Sequence, residues 1–404
     1  MSKGKGKRKR ILIVAPQFYP RVGGYANATG NLLRAIAESD GASVVLATPE
    51  PLANETELEL PNVEIVRLPR YQGGLRYKAV VEQLQWVKPL RNIVTGTSWD
   101  LVLIESLENS LSLYLLIRTL NKRSKAKLAV RIHGTNAMEG FRDSHRPIDR
   151  FYWFFVKRVL KNVHNITSTT RQYFRFLESE VFTRPEPFGK NLGLVSNIVW
   201  PPKDESNLNP NDPEGEINML TLGRMNPSGY HQKNFELIPR AVHLLRGRRK
   251  DLAARLRIRV IGDGEMSQRF HQVIKDLGVE ENFELTPQLP NAEIRRLQRD
   301  VHAVLLVSRY EGQSMFALES LAAGAPLILS RDTGVSDLVA DNQSNGGLVD
   351  PFDALDLADA LIRICDANVE ILRHASVAHY TAYYRPQRVL QDLFDYISEL
   401  PGNP

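Results

Sequence analysis

The sequence predicts an α/β protein of two successive domains, each built on a parallel sheet, and three observations carry that expectation. Its 404 residues exceed what one ordinary hydrophobic core serves and fit two domains of about 150–200 residues each. Short apolar runs alternate with amphipathic helical stretches in both halves, the rhythm of strand–helix–strand units. Between Thr183 and Gly215 that rhythm dissolves into prolines, asparagines and acids, the composition of an interdomain connection.

In the first half, Ile11–Ala15 reads as a strand and Tyr25–Glu38 as a helix, with Thr29, Leu32, Leu33, Ile36 and Ala37 on one face. Ser43–Thr48, Asp100–Ile104, Ala126–His133 and His164–Ser168 are further short apolar runs of strand length. The segment Arg146–Lys161 (RPIDRFYWFFVKRVLK) mixes aromatics with bases and suits either a core-facing helix or a membrane-surface patch. After the connection, strands are expected at Ile217–Leu222, Leu256–Ile261, Val301–Val307 and Pro326–Ser330. Helices are expected at Phe235–Leu245, Ser267–Leu277 and Ala317–Ala323. In the first of these, Ile238, Ala241, Val242 and Leu245 repeat at i, i+3, i+4 and i+7. Arg388–Leu400 reads as an amphipathic closing helix. The expected domains are 11–200, joined by helix 388–400, and 216–383, after a basic disordered tail at 1–10.

Hydrophobic content of 43% and charged content of 24% are those of a soluble globular protein. Six of the 52 bases lie in Lys3–Arg10 with no acid among them; without them bases and acids balance at 46 each. The basic character is therefore local, and suits a solvated arm or a contact with an anionic membrane or nucleic acid. The apolar run after the tail ends at Pro16, too short for a signal-peptide core. No run of 18 apolar residues occurs; Leu101–Leu120 is interrupted by Glu105, Glu108 and Asn109. A single cysteine, Cys365, excludes an internal disulfide and a multi-cysteine metal site, and a reducing cytoplasm is the expected compartment.

The densest functional signal is Ser308–Pro326 (SRYEGQSMFALESLAAGAP). Glu311 follows a buried strand, where open α/β sheets place their ligands. A helix starting near Ser314–Phe316 offers unpaired N–H groups and a positive dipole end to an anion. Two acids, Glu311 and Glu319, beside such a seat suggest a phosphorylated ligand with hydroxyl groups. Arg224, at the end of the strand opening the second half, and Lys233, before its first helix, suit two phosphoryl groups. Gly262–Asp263–Gly264 closes the next strand as a turn. Gly23 and Gly24 follow the first strand, where a paired glycine permits either close backbone approach to a ligand or a plain tight turn. His133 ends a first-half strand on the side of the expected cleft. Asp353, Asp356 and Asp359 fit a solvated helix face rather than a metal site.

Taken in order, the glycine pair, the strand-end histidine, G-R-M with Lys233, the G-D-G turn and E-x7-E followed by A-x-G-x-P resemble the retaining GT-B glycosyltransferases of family four, from about Ile11 to Tyr383. The resemblance implies two Rossmann-like βαβ domains facing across a cleft, and transfer of a sugar from a nucleotide-diphosphate sugar to a glycan, lipid-linked or small-molecule acceptor. It implies that Arg224 and Lys233 hold the diphosphate, with backbone N–H groups around Gln313, Ser314, Met315 and Phe316. Glu311 and His133 would then contact the sugar, Glu319 the ribose, and Gly23 and Gly24 the reaction centre. No cofactor or essential metal is implied, nor a nucleic-acid partner; the donor is UDP-, GDP- or ADP-linked. The expected location is cytoplasmic, with peripheral contact at the inner membrane face as an option for the basic tail. Arg224 and Lys233 are nine positions apart against about five in many relatives, so NPSGYHQ is expected to form a longer loop. Pro239 requires its helix to start close to Phe235. A catalytically silent GT-B binding protein and a GT-B epimerase or phosphorylase are the rival readings.

Overall fold

The computed structural model describes residues 8–16, 18, 24–39, 41–51, 60, 62–70, 78–107, 110–123, 127–133, 147–181, 191–202 and 215–400. The chain divides into two compact units, Met1–Ile198 with Pro386–Pro404, and Val199–Arg385. Residues 1–7 of the basic segment and most of the proline-rich connection lie outside the described residues.

The first unit holds seven strands: β1 (Lys9–Val14), β2 (Ala42–Pro49), β3 (Val63–Leu68), β4 (Leu101–Ile104), β5 (Lys127–Ile132), β6 (Asn165–Ser168) and β7 (Asn191–Leu194). They pair in the order β3-β2-β1-β4-β5-β6-β7, every pair parallel. The inner strands are apolar without alternation because helices cover both faces. On one face Leu12, Val14, Val102 and Ile104 pack with Trp86, Leu113, Leu116 and Val156. Those partners come from the helices Lys78–Thr95, Ser110–Arg123 and Pro147–Asn162. The helix Gly24–Glu38 buries Leu32, Leu33 and Ile36.

β1 begins at Lys9, so the last two bases of the expected tail belong to the sheet. The Arg10 N–H donates to Asp100 Oδ2 at 2.8 Å and its guanidinium lies 5.3 Å from the Trp99 ring. The closing helix, Pro386–Glu399, packs on the first unit. Gly193 of β7 makes this possible: a Cβ there would lie 2.4 Å from the Tyr396 ring. Tyr396 Oη donates to Asn191 O at 3.0 Å, and Lys127 Nζ to Ile397 O at 2.9 Å. Among the described residues, no helix is long and apolar enough to cross a membrane.

The second unit holds β8 (Ile217–Leu222), β9 (Leu256–Ile261), β10 (Phe283–Thr286), β11 (Ala303–Leu306), β12 (Leu327–Ser330) and β13 (Gly346–Val349). Their order is β10-β9-β8-β11-β12-β13, again all parallel. In both sheets the winding reverses beside the unit's first strand, between β1 and β4 and between β8 and β11. Crossover helices diverge at such a point, and the carboxyl ends of the two strands open onto a crevice.

The end of β8 is packed to backbone distance against the end of β9. Gly262 takes φ +156°, and a Cβ there would fall 2.0 Å from Gly223 O. The G-D-G turn is therefore a packing requirement. The helix Leu237–Arg248 starts two residues later than expected, which keeps Pro239 in the first turn, where no intrahelical acceptor awaits its missing N–H. Asp353 caps the helix Ala354–Asp366 by accepting from Leu355 and Asp356 N–H. Gly262→Ala is expected to lower stability by about 2–3 kcal/mol through strain and overpacking. Gly247→Ala, in a helix with nothing within 4 Å of the new Cβ, should raise it by up to ~1 kcal/mol. Urea unfolding of the two variants checks the contrast, and equal midpoints would refute it.

Candidate active site

In the second unit, Arg224 follows β8 and is exposed. The stretch expected as a loop is instead a short helix, Pro227–Lys233. Asn226 caps it, its Oδ1 accepting from Gly229 N–H at 2.8 Å, and Pro227 supplies the preset first residue. The helix ends at Asn234, which adopts φ 56° and sends Nδ2 to Pro351 O at 2.6 Å and Val307 O at 3.3 Å. That amide ties the helix end to the chain following β11 and β13 and fixes where Lys233 points.

Lys233 Nζ meets Glu311 Oε2 at 2.5 Å. Ser308 Oγ donates to the same carboxylate oxygen at 3.3 Å. The backbones are joined as well: Arg309 N–H donates to Gln232 O at 2.9 Å and Gln232 Nε2 to Tyr310 O at 3.3 Å. On the other side, Gly334 N–H donates to Glu311 O at 2.9 Å, and a Cβ on Gly334 would lie 2.8 Å from that oxygen. The carboxylate expected at the sugar and the lysine expected at the phosphate thus form one ion pair.

The helix Met315–Ala322 starts immediately after, with Ser314 as its cap. Ser314 Oγ accepts from Ala317 N–H at 3.4 Å and Ser314 O from Leu318 N–H at 3.0 Å. The N–H groups of Met315 and Phe316 remain outside the helical ladder. Gln313, Met315 and Phe316 have buried side chains, so this segment presents backbone rather than side chain. Glu319, on the same helix, accepts from Arg295 Nη2 at 2.9 Å. Burial raises its carboxyl above the ordinary range, and Arg295 opposes the rise.

In the first unit, Gly23 lies outside the described residues and Gly24 opens the helix Gly24–Glu38. His133 follows β5 and does not stand alone. Its Nε2 is 2.6 Å from Oε2 of Glu105, whose side chain is fully buried at the end of β4. Arg131 Nη1 approaches the other carboxylate oxygen at 3.5 Å, while its Nη2 donates to Ser196 O at 2.7 Å. Tyr25 Oη donates to Glu105 O at 2.7 Å and its ring stands edge-on to His133 at 4.9 Å. Burial pushes the Glu105 carboxyl up, but Arg131 and then His133 overcome it and hold it below 4.5. Burial lowers His133 below 6.5; Glu105 pulls it partly back and Arg131 lowers it again. Near neutrality the pair is a carboxylate accepting from a neutral imidazole. Among the described residues, no group of three or more His, Cys, Asp and Glu side chains could hold a metal ion.

Two family models match the chain, one within each unit. The model for glycosyl transferases group 1 matches residues 203–379, and that for a glycosyl transferase 4-like domain matches residues 23–187. The second unit belongs to the group 1 glycosyltransferases and the first to the glycosyl transferase 4-like domains, so the chain is a glycosyltransferase. Sucrose-phosphate synthase from Thermosynechococcus elongatus shares the GT-B fold with a TM-score of 0.75 at 17% identity, over 97% of this chain and 99% of that one. An E. coli trehalose-6-phosphate structure bound with UDP-2-fluoro glucose gives 0.71 at 13% identity, over 98% and 100%. D-inositol 3-phosphate glycosyltransferase of Arthrobacter sp. (strain FB24) is 28% identical over 154 residues, 38% of this chain and 35% of that protein. MMP alpha-(1->4)-mannosyltransferase of Mycolicibacterium hassiacum is 28% identical over 102 residues, a quarter of each chain (25%). The matched region is thus about a third or less of each of these two relatives.

Within this glycosyltransferase, five partners escape a reading of the sequence: Glu105, Arg131, Ser308, Arg295 and Gly334. Glu105 carries a usable signal, since an acid directly after the apolar run LVLI obeys the same strand-end rule that singles out Glu311. Arg295 and Gly334 carry none, because their importance lies in contacts distant along the chain.

Both first-unit shifts act with the same sign in acid. The unfolded chain binds a proton more readily at each group, so their contributions are complete above 6.5 for His133 and above 4.5 for Glu105. Each is lost as the pH falls through the group's lower folded value. The melting temperature is expected to drop in two stages on acidification, and His133→Asn should diminish the upper one, which His302 and His379, also lowered by burial, share. Calorimetric melts across that range provide the check; an unchanged upper stage in the variant would contradict it.

Proposed function

We propose that the chain is a metal-independent, retaining glycosyltransferase that uses a nucleotide-diphosphate sugar and acts on a glycan, a lipid-linked sugar or a small molecule. The observation that carries the reading is the Lys233–Glu311 pair, close ahead of the capped helix start at Ser314 and packed on Gly223, the residue before exposed Arg224. A donor diphosphate requires cations and N–H groups; a sugar beside it requires a carboxylate. One strand-end cluster supplies both. A nucleotide sugar bound in this fold has a parallel in the E. coli structure with UDP-2-fluoro glucose.

In this reading Arg224, Lys233 and the N–H groups of Met315 and Phe316 receive the charge that grows on the diphosphate as the glycosyl–oxygen bond breaks. Lys233 exchanges part of its contact with Glu311 for a phosphate oxygen. The freed carboxylate faces the anomeric carbon as it gains positive character. The acceptor hydroxyl bonds to that carbon on the face the diphosphate leaves, and its proton goes to the departing phosphate oxygen. Glu319 takes the ribose hydroxyls, releasing Arg295 in part. His133 serves the sugar, with Glu105 fixing the ring so that Nε2 carries the proton. Gly24, with Gly23 beside it in sequence, serves the same centre by backbone approach. The protein acts in the cytoplasm, with peripheral contact at the inner membrane face aided by the basic segment Lys3–Arg10.

Incubation with UDP-, GDP- and ADP-sugars in excess EDTA, without acceptor, should release one nucleoside diphosphate slowly. Binding with no release from any of them would make the chain a silent binding protein; an epimer, or a sugar phosphate on adding phosphate, would make it an epimerase or phosphorylase. Arg224→Ala should weaken binding of that nucleoside diphosphate by about 1.5–3 kcal/mol, the range for a charge-assisted hydrogen bond. Glu311→Gln should cut turnover on the order of a hundredfold or more, yet leave the bare nucleotide bound as well or better, because Lys233 loses its competing partner. Calorimetry and turnover on the same preparations test this, and a parallel loss of both would make Glu311 structural.

A further inference from the structure

The helix Pro147–Asn162 carries more aromatic surface than its core requires. Tyr152, Val156, Val159 and Leu160 face the sheet and are buried. The opposite face exposes Arg150, Phe151, Phe154, Arg158 and Lys161. Phe151 is 39% and Phe154 48% exposed, far above what a phenylalanine keeps when a core can take it. The two rings meet Phe155 at 4.8 and 5.3 Å, forming one apolar patch, and the Arg158 guanidinium sits 5.0 Å over Phe154. The only acid of the helix, Asp149, lies in its first turn and is half-buried.

The patch continues on the helices beside it. Ser110–Arg123 and Lys78–Thr95 cover the same sheet face, through Leu113, Leu116, Trp86 and Leu90. Tyr114 reaches Phe155 at 5.7 Å and holds exposed Arg118 over its ring. On the farther helix Leu84 is 50% exposed, followed one and two turns on by exposed Lys88 and Arg91. Bases therefore rim phenylalanine and leucine across three helices. The acid of the farther helix, Glu82, is half-buried like Asp149.

We propose that this face of the first unit docks on an anionic phospholipid bilayer. Phenylalanine and leucine insert at the acyl boundary, where their burial is favourable without any hydrogen bond. Arginine and lysine on the rim reach phosphates of the headgroups, their stems lying along the apolar layer. Charge complementarity selects this occupant: a neutral protein partner would offer no counter-charge to the exposed rim bases Lys88, Arg91, Arg118, Arg150 and Arg158. The proposal stands on different residues from the basic segment Lys3–Arg10 and does not depend on which sugar is transferred.

Co-sedimentation with phosphatidylcholine vesicles, with and without phosphatidylglycerol, tests it on the full chain. Wild type should bind only the anionic vesicles. Phe151→Ser with Phe154→Ser should weaken that binding at least about tenfold, a factor equal to ~1.4 kcal/mol. Arg150→Gln, Arg158→Gln and Lys161→Gln together should weaken it on the order of a hundredfold at low salt. All five residues are exposed, and unchanged melting temperatures confirm that the variants fold. Deleting residues 1–7 separates the two sources: binding abolished by the deletion and untouched by the helix variants overturns the proposal. So does a dimer in light scattering that the phenylalanine substitutions dissolve, which would assign the face to a second copy of the chain.

Discussion

Parallel strands cannot be joined by tight turns, and that constraint places the strand-end side chains described above. Each strand must return through a crossover, mostly a helix lying on the sheet, so all carboxyl ends in a unit come to one edge. Within the first unit Glu105 and His133, at the ends of β4 and β5, are neighbours for this reason, and within the second unit so are Glu311 and Gly334, beyond β11 and β12. Sequence separations of 26 between Arg131 and Glu105 and of 78 between Lys233 and Glu311 are closed by the fold, not by local structure.

The two units handle their strand-end acid differently. Glu105 is fully buried, and its partners Arg131 and His133 are nearly so. Removing Arg131 strands the Glu105 charge away from water, which makes the cluster rigid but demanding. Glu311 keeps contact with solvent and pairs with a flexible lysine. The lysine's flexible stem lets it turn from Glu311 to an incoming anion, with a carboxylate less deeply buried than that of Glu105 left behind. The first arrangement suits orienting a ring; the second suits binding and release.

Legibility in the sequence follows burial. Runs buried on both sides, such as ILIV in β1 and AVLL in β11, are legible because a short continuous apolar stretch bounded by polar residues fits little besides a buried strand. Edge and near-edge elements are not. β3, reading VEIVRL, is only partly buried and one-third polar, and β7 contains Gly193, whose missing side chain makes room for Tyr396. Pro89 obscures the helix Lys78–Thr95. The stretch NPSGYHQ reads as a loop because proline, serine and glycine are turn formers, yet Asn226 and Pro227 are a helix start signal. The glutamate spacing and the capped helix at Ser314 are legible because both sit within a few residues of one strand end.

The return of Pro386–Glu399 to the first unit gives synthesis an unusual order. The second unit's last residue precedes this helix, so that unit is complete on the ribosome while the first still lacks a covering piece. Until Tyr396 and Ile397 emerge, the groove over Gly193 and the start of β5 at Lys127 stay open to water. The unit made first is therefore finished last. A nascent chain stalled short of its closing helix carries one mature half and one half with an uncovered apolar seam, a form that cellular quality control can recognise.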